Sequence, residues 1–215
     1  MNANNKSLNK KLFASRAFTN WFPLLIHIAC LLPIPWMIYD AWSGNLTADP
    51  IRGSILRTGK IALELLVLSL ACTPLNTIFG FSPALRVRRA LGDYAFLYVC
   101  LHFAIFVSLD YGFVFQYIFP ELLRPYALIG TIAGVFLIPL AITSFSPWLK
   151  RLGKNWKRLH SLVYVIDILS AVHYVLVVKQ GVTEPYLWLI LIIFLLALRL
   201  PPIRHFLSGF FTHQE

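Results

Sequence analysis

The sequence predicts an all-α integral membrane protein, a six-transmembrane-helix bundle with both N- and C-termini in the cytoplasm. Three observations predict it. Hydrophobic residues make up 58% of the 215 positions and charged residues only 13%, against about 45–50% and about 25% in soluble domains. The apolar residues gather into six runs of membrane-spanning size. The basic residues alternate between connecting segments, as the loops of a polytopic membrane protein do. The same composition excludes other classes. A soluble body of this length cannot bury so much apolar surface, and disorder needs more charge and fewer aromatics. The 11 Gly and 13 Pro follow no period, which removes collagen-like readings.

A hydrocarbon core of about 30 Å takes about 20 residues of helix. Runs of that kind occupy 21–42, 60–79, 91–109, 126–145, 159–178 and 186–200, the last cut short by Pro201 and Pro202. Residues 1–20 form a cytoplasmic N-terminal segment. They are not a cleavable signal, because the run that follows is too long and lacks a small-residue cleavage site. Residues 21–200 form the transmembrane domain and 201–215 a cytoplasmic tail. No internal repeat, linker or soluble appendage is evident.

Orientation follows from Lys and Arg. Fourteen of the 19 lie in the N-terminal segment, the 80–90 loop (Arg86, Arg88, Arg89), the 146–158 loop and the C-terminal end. The alternate loops hold only Arg52, Arg57, Lys60, Arg124 and Lys179, together with most of the acids: Asp40, Asp49, Asp110, Glu121 and Glu184. The positive-inside rule puts both termini in the cytoplasm, which requires an even number of spans. This clustering in short loops also argues against a nucleic-acid partner, despite the net charge of +10. The basic 146–158 loop reads as a topology determinant, and as a docking surface for a negatively charged cytoplasmic donor. Cys30, Cys72 and Cys100 lie inside apolar runs without CxxC pairing, as small helical residues.

Ionisable groups at bilayer depth are costly, and each is a functional candidate. They are His27, Glu64, His102, His160, Asp167 and His173. At 1.5 Å per residue, His102 lies about 17 Å along the third span and His173 about 20 Å along the fifth. Both spans run from inside to outside, so the two imidazoles reach the same level. Two readings stand for this pair: interhelical hydrogen-bond partners, or the two axial ligands of one haem iron. Zinc wants further ligands at that level, and none is offered.

His160 precedes His173 by 13 residues, which leaves the rings about 140° apart on an ideal helix. A second, superposed haem there needs a π-bulge to shift the register. His27 is either a hydrogen-bonding core residue or a group facing His160. Arg88, 14 residues before His102, is a poor iron ligand but suits a haem propionate or a flavin phosphate. Glu64 and Asp167 are protonated, paired or members of a proton relay. His205 and His213 belong to the solvated tail.

Several motifs now add up. They are "ADP" at 48–50, "TG" at 58–59, "TPL" at 73–75, "RVRRALG" at 86–92 and "LH" at 101–102. "RPY" at 124–126, "LGKNWKRLHSLVY" at 152–164, "HY" at 173–174 and "LALR" at 196–199 follow in order. Through them the chain resembles, over nearly its whole length, the MsrQ family of the ferric-reductase-like transmembrane group. These are haem-binding membrane subunits of a bacterial periplasmic methionine-sulfoxide reductase system. The resemblance implies a multi-pass protein of the bacterial inner membrane that carries haem b, one or two, and FMN. It implies electron transfer from the quinone pool or a cytoplasmic flavin reductase. The acceptor is a periplasmic molybdopterin-containing methionine-sulfoxide reductase catalytic subunit, which repairs oxidised periplasmic proteins. It carries the upper axial ligands over as His102 and His173 and a lower ligand as His160. At Arg88, four-histidine relatives have a histidine. It also implies no sulfoxide-reducing site in this subunit.

Two rival functions remain at this level. A direct metal-ion reductase is opposed by the lack of a GxGxxG or Rossmann-like segment. A small proton-coupled transporter without haem would use the same His and Asp residues.

Overall fold

The computed structural model describes residues 16–178 and 181–200, and among them every regular element is helical. The first apolar run forms α1 (Arg16–Leu31) and α2 (Pro33–Trp42), parted at Leu32 because Pro33 opens a new first turn. Next comes α3 (Pro50–Phe79). The Asp49 side chain caps it by accepting the Arg52 N–H at 3.0 Å, and Pro50 follows. It ends at Gly80, whose φ of 67° is the left-handed conformation of a helix C-terminus. That tight corner sends α4 (Pro83–Ile105) back antiparallel, and a π-helical turn, Phe106–Asp110, prolongs it.

A short α5 (Phe115–Leu122) then leads into α6 (Pro125–Ile142). Two short helices follow, α7 (Ser146–Leu152) and α8 (Lys154–His160), before α9 (Val163–Val177) and α10 (Glu184–Ala197).

Four helices close a ring: α3 packs on α4, α4 on α6, α6 on α9 and α9 on α3. Its core holds Leu66, Ala95, Tyr98, Leu137 and Ile166, all buried. A smaller cluster, with Leu63, Leu70, Ala171 and Ile192, seats α10 against α3 and α9. The first two helices lie outside this ring, α1 against α4. Their Trp21, Leu25, Ile28, Trp36 and Ile38 are exposed. Lipid chains are as apolar as these side chains, so such exposure carries no hydrophobic penalty in a bilayer.

Five helical stretches are long and apolar enough to cross a membrane: Trp21–Trp42, Pro50–Phe79, Pro83–Asp110, Pro125–Ile142 and Lys154–Val177. This is a multi-pass membrane protein. At the place of the sixth expected span, Glu184–Ala197 is an apolar helix of 14 residues, shorter than the other five. Other boundaries also move. The 80–90 loop is largely the first turns of α4, and the 146–158 loop is mostly α7 and α8. Arg52, Arg57 and Lys60 belong to α3, not to a loop. Hydropathy marks only the apolar stretch of a helix, while backbone hydrogen bonding carries the helix on through polar residues.

Charges that the sequence assigned to the same set of loops pair with one another. Arg57 meets Asp40 at 2.5 Å, Lys60 meets Glu184 at 2.6 Å and Arg124 meets Glu121 at 3.1 Å. The first two tie α3 to α2 and to α10.

The Tyr98 hydroxyl donates to the Cys30 carbonyl at 2.8 Å and joins α1 to the ring. Tyr98→Phe should cost about 1 kcal/mol or less, since hydrogen bonds inside a membrane are modest. The measurement is the unfolding midpoint of the detergent-solubilised protein, which should fall slightly.

Candidate functional site

The ring of α3, α4, α6 and α9 encloses a cavity of about 380 Å³. Its walls are chiefly apolar, with Leu66, Val99, Phe103, Phe106 and Leu137 among them. His102 projects into it from α4 and His173 from α9. Their ring centroids stand 6.2 Å apart with the planes at 88°. The depth match expected for these two residues holds in three dimensions.

Each ring is anchored in the same way. His102 Nδ1 lies 2.8 Å from the Ile55 carbonyl oxygen of α3. His173 Nδ1 lies 2.7 Å from the Tyr126 carbonyl oxygen of α6. A carbonyl only accepts, so each Nδ1 carries the proton and donates, and in the neutral form each imidazole then keeps its lone pair on Nε2. A ligating histidine takes this state, with its other nitrogen held by a backbone or carboxylate acceptor. Metal–imidazole bonds of about 2 Å, with about 1.1 Å from ring centre to Nε2, place two such centroids about 6.2 Å apart across one ion. The observed spacing fits one metal bound from both sides. Among the described residues, no group of three or more His, Cys, Asp or Glu comes together to hold a metal ion.

Two glycines make the anchoring possible. A Cβ on Gly59 would lie 3.0 Å from His102 Nδ1, and one on Gly130 would lie 2.7 Å from His173 Nδ1 and Cε1. Any other residue at either position would press on the ring. Residue-by-residue reading missed both as site residues. The available signal was a glycine inside an apolar helix, where it otherwise costs about 1 kcal/mol relative to alanine.

The other candidates sit elsewhere. His160 does not line this cavity. Its Nε2 meets Thr143 Oγ1 at 3.0 Å, and its ring stacks on Trp156 at 4.0 Å. The helix is interrupted just after it, at Ser161 and Leu162, so the 140° offset drawn for a continuous helix does not apply. The π-helical turn lies on α4 beyond His102, not between His160 and His173. His27 faces Tyr94, with Nδ1 2.9 Å from the hydroxyl, and not His160. Arg88 donates to Thr73 Oγ1 at 3.3 Å, near the end of the bundle remote from His102.

Asp167 is fully buried, and neither carboxyl oxygen has a hydrogen-bond partner among the described residues. Of the cysteines, Cys30 and Cys72 are buried and Cys100 lines the cavity. His205 and His213 lie outside the described residues.

A four-helix ring in a polytopic membrane bundle, with two imidazoles facing across an apolar cavity, defines the class: a multi-pass membrane protein with a paired-histidine site between its helices. Comparison with known proteins gives the class its name. The family model "ferric reductase like transmembrane component" matches residues 54–171, which spans most of α3 through α9, includes His102 and ends two residues before His173. The protein-methionine-sulfoxide reductase heme-binding subunit MsrQ of Xanthomonas euvesicatoria pv. vesicatoria is 42% identical over 76% of this chain and 78% of its own length. The protein of the same name from Rhodospirillum rubrum is 39% identical over 86% of this chain and 91% of its own. The chain belongs to the MsrQ family of ferric-reductase-like transmembrane proteins. No solved structure matches it.

Proposed function

We propose that this chain is the haem-carrying electron-transfer subunit of a methionine-sulfoxide reductase system in the bacterial inner membrane. The observation that carries the reading is the His102–His173 pair, 6.2 Å apart with each Nδ1 committed to a backbone carbonyl. The names of its relatives support the same assignment. A b-type haem held by both imidazoles would supply one-electron redox chemistry.

The protein's part is to hold and insulate. His102 and His173 would both hold the haem, and ligation by two imidazoles would suit electron transfer rather than oxygen binding. The Ile55 and Tyr126 carbonyls fix tautomer and ring orientation. Phe103, Phe106 and the aliphatic walls keep water from the centre. His160, beside Thr143 and Trp156, is the ligand for a second haem if one is carried. Arg88 is the partner for a propionate or for the phosphate of FMN. Electrons enter from the quinone pool or from a cytoplasmic flavin reductase drawn to the basic residues of α7 and α8. They leave to a periplasmic molybdopterin-containing catalytic subunit, where the sulfoxide is reduced. In this reading α10, with the turn that follows it to Leu200, completes a sixth span, and both termini are cytoplasmic.

Reporter fusions test that topology. Fusions after Lys10 and within 146–158 should score cytoplasmic, and those near Asp49 and Glu184 periplasmic. One reversed fusion among the four undoes the arrangement, because the charge rule assigns them as a set.

Replacing His102 or His173 with Ala should abolish the same low-spin haem signal, and the double variant should look no worse than either single. Reduced-minus-oxidised spectra at equal expression measure this. A full low-spin spectrum in either single variant refutes the pairing, and a wild-type protein without a Soret band points to the transporter reading.

Arg88→Ala should lower electron uptake or retention of a cytoplasmic-side cofactor while sparing the His102–His173 signal. Arg88→Lys should rescue only partly, because an ammonium cannot make the bidentate contact. Wild-type uptake in Arg88→Ala would leave the residue with topology alone.

A further inference from the structure

The two histidine anchors share more than their chemistry. His102 lies 47 residues after Ile55, and His173 lies 47 residues after Tyr126. Ile55, Gly59 and His102 each recur 71 positions later, as Tyr126, Gly130 and His173. The correspondence runs along both helices of each pair. On α3 and α6 the sequence Gly-x-Ile-Ala occurs at 59–62 and again at 130–133. Ala62 and Ala133 line the cavity, as do Leu66 and Leu137 one turn further on. On α4 and α9, Val99 pairs with Ser170 and Phe103 with Tyr174, and all four line the cavity. The repeat is faint in the letters, because beyond Gly-x-Ile-Ala the paired helices share few identities, among them Leu66 with Leu137, Leu91 with Leu162 and His102 with His173.

The α3–α4 and α6–α9 pairs are both antiparallel, run in the same sense and face each other across the cavity. An approximate two-fold axis along the bundle therefore relates them, as it relates parallel repeats in other membrane proteins. We propose that the cavity is built from two copies of one helix-pair template, and that Gly59 and Gly130 are its equivalent positioning residues for the two imidazoles. This inference rests on the haem reading given above.

The physical basis is local. In a helix the carbonyl of residue i already accepts from the N–H of residue i+4. Ile55 and Tyr126 stand four positions before Gly59 and Gly130. A side chain at i+4 flanks that carbonyl and blocks a further donor, as the 3.0 and 2.7 Å Cβ approaches demonstrate. Glycine clears the approach, and the carbonyl takes a second hydrogen bond, from Nδ1. That bond raises the basicity of the imidazole. Because the device is duplicated, both axial ligands are tuned alike.

Redox titration and haem quantification of purified full-length variants test this. Gly59→Ala and Gly130→Ala should each displace the facing ring and weaken its Nδ1–H···O bond. Haem affinity should fall roughly 10- to 100-fold, the range for loss of a ligand's supporting partner. The midpoint potential of the haem that remains should rise in both variants, since a less basic ligand favours the ferrous state. Gly92→Ala, where a Cβ meets nothing within 4 Å, should match wild type. A merely structural role would lower the yield of folded protein without moving the potential.

Wild-type potential and full haem occupancy in both variants would overturn the proposal, and a shift in only one would overturn the equivalence. If Gly130→Ala does not fold, the milder approach at Gly59 decides. Failure of the haem reading is separately visible, because His102→Ala or His173→Ala would then keep the haem signal.

Discussion

The bond from each histidine Nδ1 to a backbone carbonyl of the neighbouring helix is the constraint on which the site depends. An imidazole inside hydrocarbon needs a partner for its N–H, and no water is present to serve. Ile55 and Tyr126 supply that acceptor from helices whose own carbonyls are already used. The solution fixes the tautomer, aims the rings at a common cavity and demands glycine beneath each ring. Helix spacing follows from it, because α4 must approach α3 closely enough for His102 to reach backbone, and α9 must do the same with α6.

The remaining polar groups divide between the two ends of the bundle. At the end near His102 and His173, Asp40, Arg57, Lys60 and Glu184 form ion pairs that fasten α2 and α10 to α3. At the other end, Arg199 donates to the Tyr164 hydroxyl at 2.9 Å and to the Leu70 carbonyl, tying the end of α10 to α9 and α3. Arg88 and His160 have partners of their own there, Thr73 and Thr143. The outer helices α1 and α2 add little to the core. Their apolar surface belongs to the lipid.

Much of this was legible in the letters. Pro33, Pro50, Pro83 and Pro125 each sit in the first turn of a helix, where the missing N–H costs nothing. Gly80 marks the corner between α3 and α4. Charge sorting put Asp40 with Arg57 and Glu184 with Lys60 on one side before any contact was known. The errors are equally physical. A hydropathy run ends where polar residues begin, but α3 continues through Arg52 and Arg57 and α4 begins before Arg86. The break at Ser161 and Leu162 leaves no mark in an apolar run, so His160 and His173 read as one continuous helix.

The sequence by itself determined the membrane class, the helical content and the common level of His102 and His173. All three depend on position along a helix axis, which residue counting measures. Tertiary structure alone decided rotation about those axes. It turned His102 onto Gly59 and His173 onto Gly130, gave His27 to Tyr94 and His160 to Thr143, and enclosed one cavity between four helices. Rotation is set by which surfaces pack. In a chain that is apolar all round its helices, the sequence carries almost no amphipathic signal to reveal it.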